Sequence, residues 1–126
     1  MYYETCLEQS KKLAEILPLK SADMFYDGVQ DLYKEKTYNI PINGSSITVR
    51  TGHIITQKDI KANLLLPCWT LAALLSAIPN ASLPRNVLGW QCISYKNCIC
   101  TKGDIADDPV DACVEMIIRL NELNLL

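Results

Sequence analysis

Between Tyr3 and Leu17 the apolar residues fall at Tyr3, Cys6, Leu7, Leu13, Ala14 and Leu17, a helical spacing, with Glu4, Glu8, Lys11, Lys12 and Glu15 mostly elsewhere. The pattern predicts an amphipathic first helix. It should stop at Leu17, because Pro18 disfavours helical geometry in the residue before it and has no N–H to continue the ladder. The pattern then shortens. Met24-Phe25-Tyr26 is strand-like, and Asp27-Gly28 has the composition of a hairpin turn. Segments 32–42 and 47–55 are rich in β-branched and aromatic residues, and Asn43-Gly44-Ser45-Ser46 between them is a turn signal. In the second of these, Ile47, Val49 and Thr51 alternate with Thr48, Arg50 and Gly52, as a strand with one wet face requires.

Thr56-Gln57-Lys58-Asp59 has the spacing of a weak capping box, so a helical turn is expected there, limited by Pro67. From Pro67 the sequence predicts a helix led by that proline and carrying Trp69, Leu71, Ala72, Ala73, Leu74, Leu75 and Ile78, up to Pro79. It is apolar nearly all round, which predicts a helix buried on most faces. The stretch 80–86 is expected as a surface loop. Residues 90–101 then read as a hairpin turning at Lys96-Asn97, with Tyr95 opposite Cys98 and Ile93 opposite Cys100. In that register Cys98 and Cys100 lie on one face and Cys92 on the other.

The last element has the clearest local grammar. Asp108 stands as N-cap, Pro109 at the first helical position and Asp111 at the third, with acids where the helix dipole favours negative charge. Val110, Cys113, Val114, Ile117 and Leu120 form its apolar stripe. The sum is an α+β fold: about three helices packed on a small, mostly antiparallel sheet with β-hairpins. At 126 residues, 49% of them hydrophobic and 21% charged, the chain is expected to be a single domain over 1–126. No internal repeat or linker is visible.

Composition narrows the setting. No basic stretch leads into an apolar run at the N-terminus, and the longest apolar run, Leu71–Ala77, is broken by Ser76. That is well short of the roughly 20 residues a membrane span needs, so a soluble, cytoplasmic protein is expected. Six cysteines, at 6, 68, 92, 98, 100 and 113, are read as thiols, because a chain this rich in core residues needs no disulfide framework. The sequons at Asn43 and Asn80 carry no meaning outside a secretory pathway. Net charge is −2, but unevenly placed: residues 34–61 hold five basic side chains against Glu35 and Asp59, while six acids beyond Gly103 face only Arg119. The basic stretch is too sparse for the dense stripe of a nucleic-acid binder.

Candidate chemistry is thin. His53 is the one histidine, on a predicted strand with no motif around it, so a nucleophile–base pair lacks its usual base. A metal reading rests on Cys92, Cys98 and Cys100. It has no C-x-x-C knuckle, and cysteines more often serve as small buried apolar groups. Asp107, Asp108 and Asp111 are explained by helix capping before acid–base chemistry. Trp69 and Trp90 would anchor a partner if exposed, although core packing is the commoner role. No Walker loop, dinucleotide glycine motif, H-E-x-x-H or G-x-S-x-G occurs, and no cofactor or small-molecule substrate is implied.

Three stretches carry a family resemblance: Ser21-Ala22-Asp23-Met24, then the run from Leu66-Pro67-Cys68-Trp69 to Leu75, and Asp108-Pro109-Val110-Asp111-Ala112 before an apolar helix. In this order they resemble small uncharacterised proteins of gut Bacteroides-type bacteria and their prophages or mobile elements. The resemblance implies a source and a cytosolic setting, and it brings no catalytic residue. Its motifs, including Pro67, Trp69, Asp108, Pro109 and Asp111, are structural in character. The expectation is therefore a binding or accessory protein whose partner is another protein or a second copy. Two alternatives stay open: metal or thiol chemistry at Cys92, Cys98 and Cys100, and nucleic-acid binding through Arg50, His53, Lys58 and Lys61.

Overall fold

A computed structural model of the chain describes residues 4–29, 32–41, 47–49, 54–55 and 65–126. The fold is α+β, with three α-helices among the described residues and small antiparallel sheets. These residues fall into two compact units, one within 6–70 and one comprising 4–5 and 71–126.

The first unit begins with α1 (Leu7–Ala14), shorter than its apolar spacing predicts. Cys6 is extended and ends the helix on the N-terminal side, where its N–H is taken by Gln9 Oε1 at 3.1 Å. The Leu17 N–H still reaches Leu13 O at 2.8 Å before Pro18 closes the turn. A 3-10 turn at Leu19–Ser21 then leads into β1 (Met24–Val29). The sheet continues with β2 (Leu32–Pro41), β3 (Ile47–Val49), β4 (Ile54–Ile55) and β5 (Leu65–Cys68), in the order β4-β3-β2-β1-β5. All its neighbours are antiparallel.

Two expectations are corrected here. Asp27-Gly28 does not turn the chain: both residues stay in β1, opposite Glu35 and Tyr33, and the register shifts between them. The unmatched residue is Lys34 of β2, so the irregularity lies in the partner strand while β1 runs on through Asp27-Gly28. Pro67 does not lead a helix. It lies in β5, opposite Phe25, in a strand paired on one side to β1. An edge strand tolerates a residue without an N–H, since one side of it needs no donor. The helical turn expected around Thr56–Asp59 lies outside the described residues, as do Arg50, His53, Lys58 and Lys61.

Met24, Leu66 and Cys68 form a buried cluster against which Leu7 and Ala14 pack, so α1 covers this end of the sheet. Trp69 is fully buried; its indole N–H donates to Ser21 Oγ at 3.0 Å, and that hydroxyl donates to the Pro18 carbonyl at 2.6 Å. Asp23 accepts the Thr70 N–H at 2.9 Å and the Thr70 hydroxyl. The stretch 18–24 is thus tied to the end of β5 through side chains with their polar atoms satisfied.

The second unit is built on α2 (Leu71–Ala77) and α3 (Pro109–Glu122), which pack together, and on two hairpins: β6 (Arg85–Asn86) with β7 (Gly89–Trp90), and β8 (Ile93–Lys96) with β9 (Ile99–Lys102). α2 is not the all-round buried helix its composition suggests. Leu74 is its one buried residue, followed by Ile78 just beyond its end. Helix 71–77 has two turns, and its alanines are small enough to face outward at little cost. α3 follows its grammar closely: Asp108 caps it by accepting the Val110 N–H at 2.8 Å, and Val110, Cys113, Val114, Ile117 and Leu120 are all buried. No helix among the described residues is long and apolar enough to cross a membrane.

Candidate functional site

The most distinctive surface feature grows from six residues, Arg85-Asn86-Val87-Leu88-Gly89-Trp90. Asn86 at the first position of a four-residue turn and Gly89 at the last is a recognised turn pairing. In the structure Arg85 pairs with Trp90 and Asn86 with Gly89, so Val87 and Leu88 form the tip. Asn86 Oδ1 accepts the N–H groups of Leu88 at 2.7 Å and Gly89 at 3.2 Å, which locks the turn from inside. Gly89 has φ +142°, and a methyl group there would meet the Ala106 carbonyl oxygen at 2.4 Å. Only glycine fits both demands.

The base of the hairpin is equally fixed. Trp90 and Ala106 exchange both backbone hydrogen bonds, at 2.7 and 2.8 Å, and Gln91 N–H donates to the Pro84 carbonyl at 3.0 Å. The Arg85 guanidinium lies over the Trp90 ring, 5.3 Å from its centroid. Arg85 has no carboxylate partner among the described residues, where Arg119 pairs with Asp104 at 3.3 Å. On this rigid support Val87 is 102% exposed and Leu88 70%. Ile105, also exposed, approaches the hairpin at Gly89. Two large apolar side chains held in water on an ordered backbone are the informative kind of exposure.

The neighbouring hairpin turns one residue later than its sequence suggests. Tyr95 pairs with Cys100 and Ser94 with Thr101, leaving Asn97 and Cys98 as the turn, both at positive φ (52° and 63°). The signature fits a two-residue hairpin turn that needs left-handed geometry at both centres, for which Asn is well suited and Cys is not. One face of β8–β9 buries Ser94 and Thr101, while Tyr95 and Cys100 meet on the exposed face. There the Tyr95 phenol is pushed above its ordinary range by its hydrogen bond and charge interaction with Cys100. The Ser94 hydroxyl donates to the Pro79 carbonyl at 2.6 Å.

This arrangement separates the three cysteines named from the sequence. Cys98 sits in the turn and Cys100 on the exposed face, both accessible; Cys92 is fully buried. Among the described residues no group of three or more His, Cys, Asp and Glu side chains is placed to hold a metal ion. Cys92 is buried ahead of β8, and Cys113 is buried in α3. Interaction with Cys113 draws the Cys92 thiol below its ordinary range against the opposing effect of burial, while interaction with Cys92 and burial together push Cys113 far up.

Among the carboxylates, Asp108 is a buried cap and Asp111 lies in the first turn of α3, which assigns both to the helix start. Trp69 belongs to the core and Trp90 is half-buried beneath Arg85. The tip residues Val87, Leu88 and Ile105 were not singled out from the sequence. The signal was the spacing of Asn86 and Gly89 around two apolar residues, between the loop expected over 80–86 and the hairpin expected from Trp90. In comparisons with protein-family models, curated proteins and solved structures, none matches the chain.

Proposed function

We propose that the protein is a non-catalytic binding module that seats the Val87-Leu88 tip in an apolar pocket of a protein partner, with Arg85 facing a carboxylate at the pocket's edge. The observation that carries this reading is the near-complete exposure of Val87 and Leu88 on a hairpin whose backbone is fixed by Asn86, Gly89 and Ala106. A preorganised tip loses little freedom on binding, so most of the free energy of burying its side chains goes into affinity. Arg85, held over Trp90 and without a carboxylate partner among the described residues, supplies the charge that selects the pocket. The sequence resemblance to prophage and mobile-element proteins supports reading such a module as a cytoplasmic accessory factor.

The experiment immobilises the full-length chain beside a Val87→Ser/Leu88→Ser variant of equal thermal stability and passes nuclease-treated host lysate over both. A stoichiometric protein held by the first and lost by the second supports the reading. Identical retention by both overturns it. A concentration-dependent oligomer of the purified chain that the double variant dissolves would make the occupant a second copy instead.

A further inference from the structure

We propose that the outer edge of β9 is a self-association surface, on which two copies of the chain pair antiparallel across a two-fold axis centred on Cys100. This contact is separate from the Val87-Leu88 tip and does not rest on the partner reading. Among the described residues β9 pairs with β8 alone, so one of its two edges carries no strand.

Which backbone groups that edge offers follows from the bonds on the far side of β8. The N–H and C=O of one strand residue point the same way, and neighbouring residues point opposite ways. Ile93 exchanges both its bonds with Ser82, and the Tyr95 N–H donates to the Pro79 carbonyl at 3.3 Å, so these two residues face away from β9. Ser94 and Lys96 therefore bond to Thr101 and Ile99, their partners in the hairpin register. Cys100 and Lys102, which alternate with those, turn their N–H and C=O groups to the open edge. The Lys102 carbonyl is already taken there, by Arg119 Nη1 at 2.9 Å. Cys100 is left as the strand residue whose donor and acceptor are both open to a neighbour.

That arrangement selects a second copy. A foreign strand running the length of β9 would need the Lys102 carbonyl, whereas a two-fold contact needs no more than the exchange of both bonds between the two Cys100 residues. An axis at Thr101 would set Cys100 against Lys102 and call on that same carbonyl. Charge selects the same register. With Cys100 opposite Cys100, each Lys102 lies opposite the neutral Cys98 of the second copy; an axis at Lys102 would set two lysines directly opposite, which is destabilising. The pairing also uses exposed side chains. Ile99, 48% exposed, comes opposite Thr101 of the second copy in a non-hydrogen-bonded pair, where side chains approach closest. Tyr95, 54% exposed, lies beside Cys100 on the other face, so the joined sheet sets two small residues between two aromatic ones. β9 is four residues long, so the dimer is weak and concentration-dependent, well short of the area of a permanent interface.

The test follows the mass of the full-length chain by sedimentation from micromolar to millimolar concentration under reducing conditions. It then traps the contact with diamide, which takes two electrons and two protons from a pair of thiols and becomes its hydrazine. In a hydrogen-bonded antiparallel pair the Cα atoms stand about 5.5 Å apart, within the range a disulfide spans, whereas the two Cys98 residues of this dimer are roughly 14 Å apart along the strands. The expected result is a mass rising with concentration toward twice 14.1 kDa, and a cross-linked dimer that forms in Cys98→Ser and is lost in Cys100→Ser. Cys100→Pro removes both central donors at a strand edge that tolerates proline, and stays a monomer at every concentration. Should that variant fail to fold, Cys100→Glu opposes two carboxylates at an exposed position and gives the same result. Val87→Ser/Leu88→Ser dimerises as the parent does, which keeps this contact distinct from the tip. A parent chain that stays at 14.1 kDa throughout, a cross-link equal in Cys98→Ser and Cys100→Ser, or a dimer that survives in Cys100→Glu overturns the proposal.

Discussion

The two hairpins of the 71–126 unit are built alike and used differently. Both are two-stranded, antiparallel and closed by a two-residue tip. β8–β9 turns its smaller polar side chains inward, burying Ser94 and Thr101, and ends in Asn97-Cys98. β6–β7 is anchored by backbone bonds to Ala106 and carries its apolar residues outward on the tip. In the first, side chains support the fold and the turn is under strain at Cys98. In the second, backbone and a glycine support the fold, and the side chains are spare. Exposed apolar residues that hold nothing together are where a partner's contribution belongs.

That contrast can be broken first at Gly89. Gly89→Ala puts a methyl into the Ala106 carbonyl at a backbone angle L-residues avoid, and we expect a loss of about 2–3 kcal/mol in urea unfolding. Asp108→Ala removes the cap of the helix that follows the Ala106 anchor, with an expected loss of about 1–2 kcal/mol by the same measurement. The other hairpin should respond with the opposite sign. Cys98→Gly relieves a left-handed residue, and a gain of about 0.5–1 kcal/mol is expected in the denaturation midpoint. The smallest effect on stability belongs to Val87→Ser/Leu88→Ser, within about 0.5 kcal/mol of the parent, because neither side chain is buried.

How much of this was legible in the sequence follows from how local each signal is. Helix α3 could be read from Asp108, Pro109 and its apolar stripe, since cap and periodicity act over a few residues and agree. Pro67 could not, because an N-terminal helix position and an edge strand both suit a residue without an N–H, and the choice depends on β1, some forty residues earlier in the chain. Asp27-Gly28 has the composition of a turn, and that it stays in the strand depends on pairing with β2, where Lys34 is the unmatched residue. The second hairpin was legible as a hairpin but not in register: Lys96-Asn97 and Asn97-Cys98 differ by one residue, and burial of Ser94 and Thr101 on one face decides between them. That slip leaves Cys100 opposite Tyr95 and Cys98 in the turn. The Val87-Leu88 tip was hidden for another reason: two apolar residues in a short loop look the same whether they fold inward or stand in water.

The most direct measurement of the central claim is a calorimetric titration of the recovered partner into the parent chain and into Val87→Ser/Leu88→Ser, both shown folded by the same melting curve. Burial of two such side chains is worth roughly 3–5 kcal/mol, so the account predicts affinity falling by at least about a hundredfold at unchanged stability. Equal affinity for the two chains would contradict it and move the interface away from the hairpin tip.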